Sequence, residues 1–246
     1  MISTLTPDPH HLANTATVFE FPLFKKFSKD VRHGIFTREM NIENSAGVQE
    51  RLAARHHPFS FSKQLHGTQA YVVKEKDIDD GVHQAQGGDV LITQERGIPL
   101  VISIADCASV LLYDPVQKIV ANIHAGWRGL TQKVIHHTIQ TMREEHGCAS
   151  GDIFAAISPM LGPCCSHFSD PQSELPTFLH EYITGRNMVN LWKITEDALG
   201  ECGVPHAQIE NARVCTFCTP KYFYSYRRAR GTPHENLRFG TAIMLI

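Results

Sequence analysis

The sequence predicts a globular fold that combines buried β-strands with surface helices. Three short apolar runs rich in Val and Ile lie between residues 88 and 129. Each is too short to span a membrane and is bounded by turn residues, which is typical of buried strands. Residues 130–146 then place apolar side chains at helical spacing and end at Gly147. The chain has 246 residues and no internal repeat or linker, so we expect one domain, 1–246, in which residues 1–17 form a loose N-terminal arm.

The remaining elements follow from local periodicity and turn residues. Alternating apolar residues predict strands, apolar residues at helical spacing predict helices, and polar Gly-bearing segments predict loops. The predicted elements are a strand at His33–Thr37, a helix at Val48–His56, two strand pieces within 59–75 hinged at His66-Gly67, a surface loop at 75–88, a strand at 153–159, helices at Glu174–Ile183 and Leu191–Cys202, and a final strand pair at 212–218 and 238–246.

Composition excludes several classes of function. The formal charge is −2, the isoelectric point is about 6.7, and no run of Lys and Arg could follow a phosphate backbone, so no nucleic-acid partner is expected. No apolar run approaches the length of about 18 residues that a membrane span needs. The first residues lack the charged and apolar regions of a signal peptide. We therefore expect a cytoplasmic protein without a membrane partner.

The chain has seven cysteines, an odd number. In a protein expected to be cytoplasmic, this favours free thiols, metal ligation or catalysis over a disulfide framework. Cys215 and Cys218 form a C-x-x-C pair. A structural zinc site needs a second pair, and the available partners, Cys164 and Cys165, are adjacent in sequence, which strains joint chelation. The pattern therefore favours packed or site-flanking thiols.

Three residues at predicted strand ends could share a metal ion. Cys107 follows one apolar run, His124 ends the next, and His66 precedes the hinge glycine. One Cys and two His would leave the fourth position of a tetrahedral zinc ion open, as in catalytic zinc sites. The spacing alone does not distinguish this set from a small core cysteine and two turn-capping histidines.

Four arginines are candidates for binding an anion, although an arginine is most often a solvated surface residue. Arg128 is favoured because it lies at a predicted helix N-terminus, where free N–H groups attract phosphate. Arg38, Arg227 and Arg228 are the others. The aromatic segment Tyr222–Tyr226 could stack on a base, or could simply pack in the core.

Several motifs resemble the laccase-domain, or YfiH-type, family. These are Phe36-Thr37-Arg38, Gln64-Leu65-His66-Gly67, Gly88-Asp89, Ala105-Asp106-Cys107, His124-Ala125-Gly126-Trp127-Arg128-Gly129, Ser158–Cys165 and Tyr224–Arg228. The resemblance covers the chain from about residue 33 to its C-terminus. Members, first called polyphenol oxidases, are described as zinc-dependent purine nucleoside phosphorylases of the adenosine, inosine and methylthioadenosine class that also deaminate adenosine.

The resemblance implies an α+β fold in which two mixed sheets pack together with helices outside, an α/β/β/α sandwich related to cysteine-hydrolase-like (CNF-type) toxins. It also implies that His66, Cys107 and His124 are catalytic zinc ligands, with copper as the second choice of metal. Arg38, Arg128 and Arg227 are then expected to contact phosphate or ribose. The expected partners are a small-molecule nucleoside and phosphate, and the expected assembly is a monomer or weak homodimer.

The chain departs from the family pattern in two places. The loop after Arg38 is short, and the usual Thr-Gly-Arg near the C-terminus is replaced by Asn236-Leu237-Arg238. Neither departure affects the expected metal ligands.

Three rival hypotheses remain open. In the first, Cys107 and His124 form a metal-free thiolate and base pair that hydrolyses amides, such as those of cell-wall peptide precursors. The second is a copper-binding polyphenol oxidase, although the chain has no H-x-H segment of the kind that multicopper oxidases use. The third is a metal- or nucleotide-binding protein without catalytic turnover.

Overall fold

A computed structural model describes residues 6–7, 18–40, 42–43, 45–79 and 83–246. Its strands are β1 Thr6–Pro7, β2 Val18–Glu20, β3 Val31–Phe36, β4 Ser60–Phe61, β5 Ala70–Val72, β6 Gln84–Ala85, β7 Val90–Thr93, β8 Leu100–Ile104, β9 Ala108–Asp114, β10 Ile119–Ala125, β11 Phe154–Ile157, β12 Ile183–Thr184, β13 Met188–Val189, β14 Ile209–Asn211 and β15 Phe239–Leu245. Its α-helices are α1 Pro22–Lys25, α2 Ser45–Leu52, α3 Glu75–Asp79, α4 Trp127–Thr131, α5 Val134–His146, α6 Pro171–Glu174, α7 Leu191–Glu201 and α8 Tyr226–Ala229. Short 3-10 helices lie at Ser150–Asp152, Thr177–Tyr182, Gly185–Asn187 and His206–Gln208.

Two sheets pack face to face at the centre of the molecule. The first has the strand order β1-β2-β3-β15-β8, and all its described pairings are antiparallel. The second has the order β14-β11-β9-β10-β7-β5 and is mixed, because β14 and β5 pair in parallel with their neighbours. The core between the sheets draws on both, with Ile35, Ile102 and Ile243 from the first facing Leu111 and Val120 from the second.

Helices cover the outer faces of the two sheets. Helix α5 buries Val134, Ile135, Ile139 and Met142 on one side, against β10 and α7; each such side chain contributes about 1.5–3 kcal/mol when fully buried. On the other sheet, α2 packs its buried apolar residues against β3 and β15. This arrangement confirms the α+β sandwich that the resemblance implied.

Two predicted helices differ from the structure. The helix predicted at Val48–His56 begins earlier and ends at Leu52, because Ala53 adopts a left-handed conformation (φ 45°). The helix predicted at Glu174–Ile183 is wrong: helix α6 stops before Leu175, which is extended, and a 3-10 helix follows. Pro176 explains the break, since a proline disfavours helical geometry in the residue before it.

The strand predicted at 212–218 is also wrong. The regular strand is β14, which ends at Asn211. The side-chain oxygen of Asn211 accepts the N–H of Arg213. Arg213 has a φ of 48°, which turns the chain away from the direction of β14. Beyond that point the segment makes a single bridge, between Cys215 and Met160, and then a turn.

The helix predicted over residues 130–146 is interrupted, because α4 ends at Thr131, Lys133 adopts a left-handed conformation (φ 61°) and α5 begins at Val134. The other local predictions fit with small shifts. Strand β3 covers the predicted strand at His33–Thr37 except its last residue, and the predicted loop at 75–88 contains α3 and β6. Of the predicted N-terminal arm, only Thr6 and Pro7 are described, as a strand paired with β2; its other residues, and 80–82 of the loop, lie outside the described residues. Among the helices of the described ranges, none has both the length and the apolar character that crossing a membrane requires.

Candidate metal centre

Strand pairing brings Cys107 and His124 to the same end of the mixed sheet. Cys107 lies in the turn that joins β8 of one sheet to β9 of the other. The next residue, Ala108, is paired with Ala125, and His124 is paired with Ser109. His66 reaches this end from the loop between β4 and β5. The potential ligand atoms of His66, Cys107 and His124 all lie within 4.8 Å of one another.

The fully buried side chain of Asp89 holds both histidines in place. One carboxylate oxygen accepts the backbone N–H of His66 at 2.8 Å and contacts Nδ1 of His124 at 2.8 Å. The other oxygen accepts the N–H of Gly67 at 2.8 Å. Because a carboxylate can only accept here, Nδ1 of His124 carries the proton and Nε2 is left free to bind a metal.

One candidate ligand and the neighbour of another adopt left-handed backbone conformations. His66 has φ 60° and Asp106, next to Cys107, has φ 84°; this conformation costs energy in non-glycine residues and persists where surrounding contacts offset the cost. Asp89 fixes His66 through the bonds described above. Asp106 accepts hydrogen bonds from the hydroxyls of Thr216 and Ser225 and from the N–H of Arg227. The turn that presents Cys107 is therefore tied to the loops around it.

The Cys107 thiol lies in an environment that favours the thiolate. Burial alone raises the pKa of Cys107, but the charge of His124 and hydrogen bonds from His124 and His66 outweigh it and lower this pKa to about 6. Burial conversely lowers the pKa of His124, while the Cys107 thiolate and Asp89 raise it to about 9. Both shifts favour the thiolate form of Cys107 and the protonated form of His124 when no metal is bound.

Gly126 lets the chain pass close to these ligands. A Cβ atom at this position would lie 2.8 Å from Sγ of Cys107 and 3.3 Å from Cδ2 of His66. Any larger residue would therefore displace a ligand.

Of the predicted anion-binding arginines, Arg38, Arg128 and Arg227 are exposed and Arg228 is half-buried. The guanidinium groups of all four have contacts within the protein. Arg38 donates to the carbonyl of Pro220 and lies 4.8 Å from the ring centre of Tyr224. Arg128 lies 4.1 Å from the ring centre of Trp127.

The paired arginines after the aromatic segment hold loops. Arg227 donates to the carbonyls of Cys165 and His167, and Arg228 donates to three carbonyls of residues 216–223. The aromatic segment also packs: Phe223 is fully buried, and Tyr222 meets the ring of Phe19 edge to face at 5.2 Å.

Asp89 and Asp106 lie within the motifs that resemble the family, but the sequence pattern assigns neither of them a role. A signal exists for Asp89, which is an acidic residue directly before an apolar run that forms a wholly buried strand. A buried carboxylate needs partners, and here they are the two histidine segments. The role of Asp106 depends on residues more than a hundred positions away, which local sequence cannot reveal.

The fold and the His/Cys/His group together define a laccase-domain protein with a candidate metal centre. A family model described as multi-copper polyphenol oxidoreductase laccase matches residues 37–246, and the chain belongs to this family. The chain is 30% identical over 213 residues to purine nucleoside phosphorylase YlmD of Geobacillus stearothermophilus, covering 80% of this chain and 77% of the relative. It is 32% identical over 178 residues to a purine nucleoside phosphorylase of Bacteroides thetaiotaomicron, covering 67% and 66%.

A third relative, 29% identical over 179 residues and covering 68% of each chain, is named an adenosine deaminase and comes from an unknown prokaryotic organism. Solved structures agree on the fold. Bacillus licheniformis YfiH matches with a TM-score of 0.82 at 24% identity, covering 96% of this chain and 98% of the other. Geobacillus stearothermophilus YlmD matches with a TM-score of 0.79 at 24% identity, covering 97% and 99%.

Proposed function

We propose that this protein is a zinc-dependent enzyme acting on purine nucleosides, in which His66, Cys107 and His124 hold the metal. The proposed main reaction is phosphorolysis of the bond between base and ribose, with deamination of adenosine as a side activity. The names of relatives at about 30% identity support this substrate class, and the convergence of the three ligand atoms carries the proposal.

The donor atoms fit zinc. Two imidazoles and one thiolate are ligands that zinc accepts, and tetrahedral bonds of about 2.0–2.3 Å separate neighbouring ligand atoms by about 3.3–3.8 Å. The observed spread of at most 4.8 Å needs only small adjustments to reach that geometry. Three protein ligands leave one position for a reactant, where a bound zinc ion supplies Lewis acidity.

The protein's own groups would orient the reaction. Asp89 keeps the two histidines in place, so the ligand set exists before any substrate binds. Arg38, Arg128 and Arg227 are exposed, and we assign to them the binding of phosphate or ribose. A guanidinium already held against a ring or a carbonyl loses less conformational entropy when it binds an anion.

Copper fits the described residues less well than zinc. A multicopper centre needs several groups of histidines. Within the described ranges, the groups of three or more His, Cys, Asp or Glu side chains close enough to share an ion are His66/Cys107/His124 and a set of four cysteines. Neither is a multi-histidine copper cluster.

The proximity of Cys107 to His124, with pKa shifts that favour the thiolate and the protonated imidazole, supports a second candidate, a metal-free amide hydrolase with Cys107 as nucleophile. A chelator distinguishes the two. It would leave such a hydrolase active, whereas removal of zinc would stop the nucleoside reaction. A thiol alkylator would inactivate the hydrolase.

The test is chromatography of products after zinc-loaded protein meets adenosine, with and without phosphate. We expect adenine only with phosphate and a smaller amount of inosine in both reactions. Cys107→Ala should abolish both products, and Cys202→Ser, a thiol in another part of the molecule, should retain them. Unchanged adenosine in both reactions would exclude the nucleoside function and favour the hydrolase.

A further inference from the structure

A second cluster of thiols lies apart from the His/Cys/His group. We propose that Cys164, Cys165, Cys215 and Cys218 bind a structural zinc ion as a tetrathiolate site. This proposal rests on geometry and hydrogen bonding among these residues, and it does not depend on the function proposed above.

The four sulfur atoms have the spacing of a single tetrahedral site. All lie within 4.8 Å of one another, with Cys218 at 3.7 Å from Cys164 and 3.4 Å from Cys165. Zinc bonds to sulfur of about 2.3 Å give sulfur–sulfur distances of about 3.8 Å in a tetrahedron. Cys218 approaches two other thiols at once, which fits convergence on one ion better than a disulfide pair.

Backbone hydrogen bonds fix the position of the Cys215 sulfur. This buried atom accepts the N–H of Gly162 at 3.3 Å and the N–H of Cys218. A backbone N–H two or three residues beyond the first cysteine of a C-x-x-C turn reaches that sulfur only when the turn is tightly folded, which also places the second sulfur nearby.

The close approach of the four sulfur atoms suits a cation at their centre. Four thiolates at such distances would repel one another, and a divalent metal ion offsets that repulsion, with release of protons on binding.

The topology explains how distant cysteines meet. Strands β11 and β14 are parallel neighbours, so the loops that follow them leave the same edge of the sheet. Met160 of one loop donates its N–H to Val214 of the other and accepts the N–H of Thr216. The turn at residues 163–165 then brings both adjacent cysteines to the C-x-x-C turn, which removes the objection that adjacency raised in the sequence.

A zinc ion at the four cysteines would stabilise the two loops that lie beside Cys107. The two loops have little regular secondary structure, yet they carry Thr216, which binds Asp106, and the carbonyl of Cys165, which binds Arg227. A site of four sulfurs around one ion suits mononuclear zinc. An iron–sulfur cluster would spread its four cysteines over several iron atoms and needs wider spacing.

The test is elemental analysis of full-length protein purified anaerobically with zinc. We expect two zinc ions per chain in the wild type and one in Cys215→Ser/Cys218→Ser. We also expect one in His66→Ala/His124→Ala, with an X-ray absorption spectrum of four sulfur ligands at about 2.3 Å. Cys202→Ser is the matched control for losing a cysteine elsewhere and should keep two.

If the double cysteine variant fails to fold, the X-ray absorption spectrum of the wild-type protein still distinguishes one zinc site from two. Two sites give an average of about 2.5 sulfur ligands per zinc, whereas the His/Cys/His site alone gives about one. One zinc with an all-sulfur shell would support this proposal and contradict the zinc site proposed above. One zinc with a single sulfur ligand, or a disulfide among these four cysteines in the anaerobic protein, would overturn it.

Discussion

The two groups of metal-type side chains are positioned by different means. The candidate ligands of the His/Cys/His group come from strand ends and an adjoining loop, and a fully buried carboxylate contacts the His124 ring and the His66 backbone. The four cysteines lie on two loops joined by a single bridge. The first group is therefore held in place by the sheet and by Asp89. The geometry of the four-cysteine group depends more on the ion that its own sulfur atoms bind.

The largest effect is expected from removing a ligand of the first group alone. Cys107→Ala should reduce nucleoside turnover by more than about 100-fold, because loss of a ligand exceeds the usual 10–100-fold cost of disturbing a ligand's support. The zinc content should fall by one ion per chain while the four-cysteine ion stays. A fully active Cys107→Ala protein would refute the metal centre.

Asp89→Asn tests whether the carboxylate defines the first group. The amide has one accepting oxygen for the three donors that Asp89 serves, so His66 and His124 lose their common support. We expect zinc affinity at this site to fall about 10–100-fold, measured by competition with a chromogenic chelator.

Asp114→Asn is the control for this change. Asp114 is equally buried, and it accepts N–H groups at the opposite end of the β9–β10 hairpin. Equal losses of zinc affinity in both variants would mean that Asp89 has only a structural role.

Three glycine substitutions compare the clusters by sterics. A Cβ at Gly126 would lie 2.8 Å from Sγ of Cys107, and one at Gly162 would lie 2.9 Å from Cβ of Cys215 and 3.3 Å from Sγ of Cys164, whereas one at Gly200 meets nothing within 4 Å. We expect Gly126→Ala and Gly162→Ala each to weaken zinc binding at the adjacent cluster by about 1–3 kcal/mol, the usual cost of overpacking.

Gly200→Ala should leave both sites unchanged and slightly stabilise helix α7. Zinc affinities of the three proteins, measured with the other cluster removed, check this expectation. If Gly162→Ala leaves the four-cysteine affinity unchanged, the tight packing around Cys215 is not needed for binding.

The two groups also differ in how far sequence could predict them. The sequence pattern and the family resemblance group His66, Cys107 and His124. Local pairing of β9 with β10 brings Cys107 and His124 together, whereas His66 comes from the loop before β5, which pairs with β7 outside that hairpin. The four cysteines are evident in the sequence, but the sequence does not indicate the bridge between Met160 and Cys215 that aligns their two loops. Residues 212–218 look like a strand because they are apolar, while the turn at Arg213 is set by a side-chain bond from Asn211. Pro176 is a helix breaker present in the sequence, and it explains why the helix predicted at Glu174–Ile183 does not form.

The smallest expected effect concerns His33, a buried histidine that, unlike His124, has no acidic partner among the residues that the structure describes. Its Nε2 accepts the N–H of Phe21, and its ring packs between Phe21 and Phe24. Burial, with a contribution from Lys25, lowers the pKa of His33 to about 3. Between that value and the unfolded pKa of about 6.5, the unfolded chain binds more protons than the native protein, so stability falls as the pH falls.

The contribution lost at His33 is about 0.8 kcal/mol at pH 6 and grows by about 1.4 kcal/mol per further pH unit. His33→Gln keeps a side-chain acceptor without a titrating group, so its free energy of unfolding should depend less on pH between 7 and 5. Urea unfolding at several pH values, with zinc-free protein to exclude the metal sites, measures the slope. An unchanged slope would mean that His33 is protonated in the native protein. A buried histidine in this fold would then hold its proton without the kind of carboxylate partner that Asp89 provides for His124.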